Sequence, residues 1–332
     1  MYELYLVTGA TGNLGSAVIR ALLKKGGRVR ALILPDDPQE KNLPEGVEVF
    51  HGSVEDRTSL SEFFSADLRN ACVIHCAGLI TIASRPPAKL MSVNVDGTRN
   101  VMELCLEKNA ARVIYVSSVH AIPENKDGTV VDETDIFSQE KIRGSYAKSK
   151  SAATAIALGA AQKGLNVSVV FPSGILGPFD RGRGNVSATI LAYCRGKLPA
   201  AVRGGYDFVD VRDVADGIVA CAELGRAGEC YILSGHYATL RDILESIRPL
   251  INGKRLYYMR LWFVKMLSPF FEFASLLQKK PMFLTPYSAY VMGCSARFSS
   301  GKAEKEFGYS PRSLHSTLVD IVLNFKAQGL ID

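Results

Sequence analysis

The sequence predicts an α/β chain, a doubly wound parallel sheet followed by a smaller, mostly helical C-terminal domain. Three observations predict it. Short apolar runs alternate with stretches whose apolar residues fall at helical spacing. The runs are apolar on both faces, as strands covered by helices on two sides must be. A glycine turn, "TGATGNLG", joins the first run to the first helix.

In chain order, "LYLVTG" (4–9) reads as a strand and "NLGSAVIRALLKKG" (13–26) as the helix it feeds. Further strands follow at 29–34, 47–53, 71–78, 112–118 and 166–174, with helices between them, including 91–108 and 146–163. After Pro172 the pattern loosens into Gly- and Pro-containing connections, helices near 185–195 and 239–250, and a strand "CYILSG" at 230–235. The expected domains are 1–171 and 172–332, with a segment near 206–235 rejoining the first. No internal repeat or low-complexity tract appears.

Composition narrows the class. With 47% hydrophobic and 22% charged residues in 332, the chain is an ordinary globular one with a sizeable core. Its net charge of +6 is spread without a basic run, so nucleic acid is not an expected partner. The seven cysteines (72, 76, 105, 194, 221, 230, 294) make no CxxC pair and an odd count, which suits reduced thiols and offers no metal site. The N-terminus shows no basic segment or cleavage site before the first strand, so a cytoplasmic protein is expected.

Gly9, Gly12 and Gly15 fall directly after the first strand and at the opening of the first helix. Glycines there let backbone approach a pyrophosphate, whose charge the free amides and dipole of the helix N-terminus stabilise. The position predicts a dinucleotide. The second strand ends "RALILPDDP": Asp36 and Asp37 would repel a 2′-phosphate, which favours NAD, whereas Lys41 or Arg30 would attract one if the loop folded back, which keeps NADP open.

In "SYAKSKSAA" Tyr146 and Lys150 stand four apart, on one helical face, while Lys148 points elsewhere. "YVSSVHA" leaves Ser117 and Ser118 at the carboxyl end of a strand, where ligands bind in open parallel sheets. Hydride transfer at a carbinol carbon requires a proton to leave the oxygen. A phenol is a poor base at neutral pH unless a neighbouring cation favours the phenolate.

These ordered motifs, over residues 3 to 250, resemble the extended short-chain dehydrogenase/reductase family (the NAD-dependent epimerase/dehydratase superfamily), whose fold is Rossmann-like. The resemblance implies an NAD(P)-dependent oxidoreductase with Tyr146 as general acid/base, Lys150 tuning it and holding the nicotinamide ribose, and Ser118 bonding the substrate oxygen. It implies cofactor contacts from Gly9, Thr11, Gly12, Asn13, Leu14 and Gly15, from Asp36, and from Ser53 and Val54. It adds Cys76, Ala77 and Gly78, Tyr146 and Lys150 themselves, and Pro172, Gly174 and Ile175, with a homodimer as the family's usual assembly. "HGSVED" departs from the family's Gly-Asp by placing Ser53 after Gly52. His75, closing a buried strand, reads as a hydrogen-bonded core residue.

"FVDVRDVADG" (208–217), "LGPFDRGRGN" (176–185) and "GKLPA" (196–200) look like the branch of dihydroflavonol-reductase-like and 3β-hydroxysteroid-dehydrogenase-like proteins, which also includes sugar-epimerase-like members. The first functional reading is ketone/secondary-alcohol interconversion on a mostly apolar, steroid- or flavonol-like molecule. The second is a nucleotide-sugar epimerase or dehydratase, with Arg181, Arg183 and Arg212 available for a diphosphate. The third, a cofactor sensor without catalysis, conflicts with the intact trio. Seven aromatic residues crowd "LYYMRLWFVKMLSPFFEF", within 256–283. Arg260, Lys265, Glu272 and Pro269 argue against a spanning helix. What remains is core, the wall of an apolar pocket, or a patch meeting a membrane surface.

Overall fold

The computed structural model describes residues 1–123, 129–134, 137, 139–180, 182, 184–278, 285–294 and 296–331. The first half runs β1 (Leu4–Thr8), α1 (Asn13–Lys24), β2 (Val29–Ile33), β3 (Val47–His51), α2 (Arg57–Phe63), β4 (Ala71–His75), α3 (Lys89–Met91), α4 (Gly97–Glu107), β5 (Arg112–Val116), α5 (Ser145–Gln162) and β6 (Val167–Pro172). Then come β7 (Gly174–Leu176), α6 (Asn185–Cys194), β8 (Ala200–Val202), β9 (Gly205–Asp210), α7 (Val211–Leu224), β10 (Cys230–Leu233), β11 (His236–Thr239) and α8 (Leu240–Ile247). The chain closes with β12 (Tyr257–Met259), α9 (Leu261–Gln278), α10 (Pro286–Val291), α11 (Gly301–Phe307) and α12 (Leu314–Ala327).

Seven strands form one parallel sheet in the order β10-β6-β5-β4-β1-β2-β3, so the winding reverses between β1 and β4. This is the doubly wound, Rossmann-like sheet expected from the alternation of apolar runs. Side chains alternate across it and feed two cores. Leu6, Val73, Val113, Tyr115 and Val169 pack on the side of α2, α4 and α5. Val7, Ile74, Ile114, Val116 and Val170 pack on the side of α1 and α7. β10 pairs with β6 from Cys230↔Val169 to Leu233↔Pro172, which brings a late segment back to the first sheet. Outside it, β9 lies between β7 and β11, and β8 pairs with β12.

Two local departures from simple helices matter. The helix expected over 91–108 is a run from Lys89 to Glu107 interrupted by a π-turn at Ser92–Asp96, a feature that redirects side chains within a helix. The helix expected to reach 250 stops at Ile247 and tightens into a 3₁₀ turn containing Pro249, which lacks the amide to continue it.

The aromatic segment within 256–283, described through residue 278, is not core. On α9, Val264, Ser268 and Glu272 face inward, while Trp262, Met266, Phe270, Phe271 and Phe273 are exposed. Residues 279–283 lie outside the described residues.

The glycine turn is tightly packed. Gly9 has φ +66, and a Cβ there would lie 2.7 Å from the Ala77 amide; a Cβ on Gly15 would lie 2.1 Å from the Gly9 carbonyl oxygen. Gly12 differs, since its Cβ would meet only that oxygen, at 3.2 Å, and is otherwise turned to open space. Gly15→Ala is therefore expected to lower stability by roughly 1–3 kcal/mol, whereas Gly12→Ala leaves the thermal midpoint nearly unchanged and weakens nucleotide binding. Melting curves of the two variants, with a nucleotide titration, check the contrast.

Candidate active site

Apart from Tyr146 and Lys150, which lie on α5, the expected cofactor positions fall at the carboxyl edge of the seven-stranded sheet or in β7 just after it. Gly9 to Gly15 follow β1, Asp36 follows β2, Ser53 and Val54 follow β3, Cys76 to Gly78 follow β4, Pro172 ends β6, and Gly174 and Ile175 begin β7. Strands that all run one way deliver their ends to one crevice, at the point where the winding reverses.

The glycine turn suits an anionic ligand. Gly12 caps α1 without a side-chain bond, and the first turn carries no acid, so backbone amides and the helix dipole stay available. The Asn13 Oδ1 is buried with no partner. A cavity of about 250 Å³ opens here, lined in part by Thr11, Gly12, Asn13 and Ser16 and closed from the other half of the chain by Phe179 and Asp180.

At the end of β2 the two acids divide. Asp36 is exposed, with a left-handed backbone (φ 58), while Asp37 turns toward the glycine loop and accepts a hydrogen bond from Thr11 Oγ1 at 2.5 Å. Arg30 is unavailable to a phosphate, because its guanidinium is buried and bound to both carboxylate oxygens of Glu48 and to the Phe63 carbonyl. Lys41 is exposed in the turn Glu40–Asn42. Val54 packs beneath Gly97 of α4 with its side chain buried, which leaves only its backbone toward the crevice.

Ser118, Tyr146 and Lys150 come together. Ser118 follows β5 and bonds the Tyr146 hydroxyl; Tyr146 and Lys150 sit one turn apart on the inward face of α5, both buried. Lys148 points to solvent. The Lys150 ammonium donates to the Val116 carbonyl at 2.7 Å and to the Tyr115 hydroxyl at 3.4 Å. A Cβ on Gly78 would lie 3.5 Å from Lys150 Nζ, so the loop after β4 crosses directly in front of the lysine.

Burial sets the electrostatics. It pushes the Tyr146 phenol up to about 12, against the opposing pull of the Ser118 hydrogen bond, so in the free protein the phenol holds its proton at neutral pH. Burial also brings the Lys150 ammonium down to about 8.

His75 is a core residue, fully buried between the hydroxyls of Thr8 (2.7 Å) and Thr98 (3.0 Å), with burial lowering it to about 3. Arg212 is committed to Asp210 and Asp320 at 2.6–2.9 Å, which takes it out of the anion-binding role considered for it. Arg181 and Arg183 lie outside the described residues.

Two groups of site residues escaped the sequence reading. Asn94, in the π-turn, is buried; its amide accepts from the Leu79 backbone amide (2.7 Å) and donates to the Leu79 carbonyl (3.0 Å) and to Ser149 on α5 (2.9 Å). It clamps the loop after β4 to the helix of Tyr146. His120 stacks on Tyr206 (5.3 Å between centroids) and meets Tyr146 edge-on (6.0 Å) and Tyr287 (6.2 Å), with Phe208 and Phe298 behind Tyr206. The only signal for this wall was aromatic content, which points to core as often as to pocket.

Comparison with known proteins places this geometry in a family. The profile of the NAD dependent epimerase/dehydratase family matches residues 5–234. "Sterol demethylase protein B" of Methylococcus capsulatus is 29% identical, over 98% of this chain and 99% of that protein. "3beta-hydroxysteroid-dehydrogenase/decarboxylase isoform 1" of Arabidopsis thaliana is 28% identical, over 77% of this chain and 64% of its own length. The crystal structure of gox2253 superposes with a TM-score of 0.86 at 31% identity, over 99% of this chain and 100% of the other. The chain belongs to the NAD-dependent epimerase/dehydratase family, the extended short-chain dehydrogenases/reductases, and is an NAD-dependent enzyme of that type.

The buried ammonium makes a measurable claim on stability. Below about pH 8 the folded chain carries a dehydrated charge at Lys150 that the unfolded chain hydrates. Between about 8 and 10.5 the folded chain sheds that proton while the unfolded chain keeps it, so the penalty fades as pH rises. Lys150→Met is expected to be more stable than the unaltered protein near neutral pH, on the order of 2 kcal/mol, with the difference shrinking toward pH ~10. Melting curves across that range check the sign; a difference that grows with pH contradicts it.

Proposed function

We propose that the chain is a ketone/secondary-alcohol oxidoreductase acting on a mostly apolar, polycyclic substrate, with Tyr146 as its general acid/base. The observation that carries this reading is the buried Ser118–Tyr146–Lys150 group facing an aromatic wall of His120, Tyr206 and Tyr287. Bound NAD supplies or accepts the hydride. In reduction, Ser118 holds the substrate oxygen and Tyr146, protonated at neutral pH, delivers its proton to it. Lys150 stabilises the phenolate left behind and reaches the nicotinamide ribose. Asn94 and the Val116 carbonyl keep α5 and its ammonium in register.

A nucleotide sugar would bring a diphosphate. Of the arginines considered for it, the described one, Arg212, is held by two carboxylates. The sterol and hydroxysteroid names of the two relatives agree with an apolar ligand. The nucleotide end of the crevice, with Asp37 near the turn and Arg30 engaged, suits a ribose 2′-hydroxyl.

Tyr146→Phe is expected to cut turnover at least ~10²-fold while leaving NAD affinity nearly intact, and Lys148→Ala to be close to silent. The assay is NADH absorbance with steroid-like and flavonoid-like ketones, beside nucleotide sugars. Absorbance falling in proportion to ketone supports the reading. Turnover of a nucleotide sugar at flat absorbance overturns it in favour of an epimerase.

A further inference from the structure

The outward face of α9 is the feature that neither fold nor catalysis accounts for. We infer that it docks the enzyme on a bilayer surface with anionic headgroups.

The helix turns most of its aromatic side chains outward. Its buried stripe includes Ser268 and Glu272, whereas Trp262 (63% exposed), Met266 (54%), Phe270 (72%) and Phe273 (64%), spaced four, four and three apart, form an apolar face turned to solvent. Glu272 is committed inward: it accepts from the Ser84 amide and hydroxyl, both at 2.7 Å. A contiguous aromatic face of this kind marks a surface that something covers.

Charge selects what covers it. Between residues 252 and 274 the acid is Glu272 alone, buried, while Lys254, Arg255, Arg260 and Lys265 are exposed. Trp and Phe on one face beside lysines and arginines is the make-up of a helix lying in the headgroup plane. A second copy fits less well, because a two-fold contact through this helix would set Arg260 and Lys265 against their own equivalents. Among the described residues no helix is long and apolar enough to cross a membrane.

The surface adjoins the crevice. The loop that Glu272 holds at Ser84 begins at Gly78, beside Lys150, and exposes Leu79 and Ile80 on the way. The same loop accepts a hydrogen bond at the Ile82 carbonyl from Thr285, which caps α10. Docking through α9 would thus present the crevice to the lipid phase, from which an apolar substrate could enter. That use rests on the function proposed above; the docking itself does not.

Trp262 is the chain's single tryptophan, so its emission reports on this face directly. The full-length protein with NAD bound is titrated with vesicles of phosphatidylcholine containing roughly one-third phosphatidylglycerol, and with pure phosphatidylcholine. The expected result is a blue shift, quenching by brominated acyl chains and co-flotation, with at least ~10-fold tighter binding to the anionic vesicles. Replacing both phenylalanines (Phe270→Ser with Phe273→Ser) is expected to weaken binding at least ~10-fold, with NAD affinity unchanged. Should that variant fail to fold, Arg260→Glu with Lys265→Glu keeps the rings and is expected to abolish the preference for anionic vesicles. Emission indifferent to lipid overturns the proposal. So does emission that shifts with protein concentration in place of lipid, which would assign the face to a second copy. Vesicle binding by a chain that reduces no apolar ketone upholds the docking and sinks only the substrate reading.

Discussion

The hydrogen bond from the Lys150 ammonium to the Val116 carbonyl holds the rest of the site in place. An amine taken out of water needs oxygen acceptors, and the last carbonyl of a central parallel strand, one residue beyond its final pairing with β4 at His75↔Tyr115, offers one. Meeting it ties α5, which packs along β6, to the end of β5. The buried positions of α5 are small or polar to allow this: Ala147, Ser149, Ser151, Ala153, Thr154, Ala157 and Ala160. Thr154 adds a second tie, through Ser117 at 2.7 Å, so the two serines that end β5 serve different ends. Ser117 fastens the helix, and Ser118 is left for Tyr146.

Once α5 is fixed there, the remaining geometry follows in steps of a helical turn. Tyr146 stands over Ser118, and Ser149, three residues on, receives the Asn94 amide. Asn94 can reach both Ser149 and Leu79 because the π-turn at Ser92–Asp96 places it off the regular stripe of the neighbouring helix. The loop after β4 is thereby pinned between two helices, directly in front of the lysine. Burial sets the protonation of these groups and is thermodynamically expensive at once. It keeps the phenol protonated at neutral pH, and it leaves the ammonium poorly solvated.

The sheet and the meeting of Ser118, Tyr146 and Lys150 were legible in the sequence because each depends on local signals. Apolar runs apolar on both faces specify covered parallel strands, three glycines at a strand–helix junction specify a tight turn with a free helix end, and Tyr and Lys four apart specify a shared helical face. What escaped depends on tertiary placement. Asn94 acts through a π-turn that no spacing rule announces. His120 and Tyr206 meet across 86 residues, and the commitment of Arg212 to Asp320 spans 108. The strand-end acids show the limit within one turn. Asp36 and Asp37 are equivalent as letters, and only the left-handed backbone at 36 decides that 37 faces Thr11.

Most of the aromatic wall beside Tyr146 comes from the second half of the chain, and its contacts explain why it resists reading from motifs. Gly144, which precedes α5 with φ +92, has no Cβ to spare: one placed there would lie 2.3 Å from the Tyr287 ring. Tyr287 thus rests directly on the start of α5 while its ring also meets His120, so the wall opposite Tyr146 is set by a residue 141 positions away whose neighbours carry no motif. The segment that carries it is tied to the loop after β4 twice, by Glu272 to Ser84 and by Thr285 to Ile82. A strand-end loop that crosses in front of Lys150 is thereby joined to α9 and its outward aromatic face. Changes in α9 or α10 can then retune the crevice without touching Ser118, Tyr146 or Lys150. Such a division keeps a buried trio fixed while the wall around it varies, which is how one fold comes to host unlike ligands.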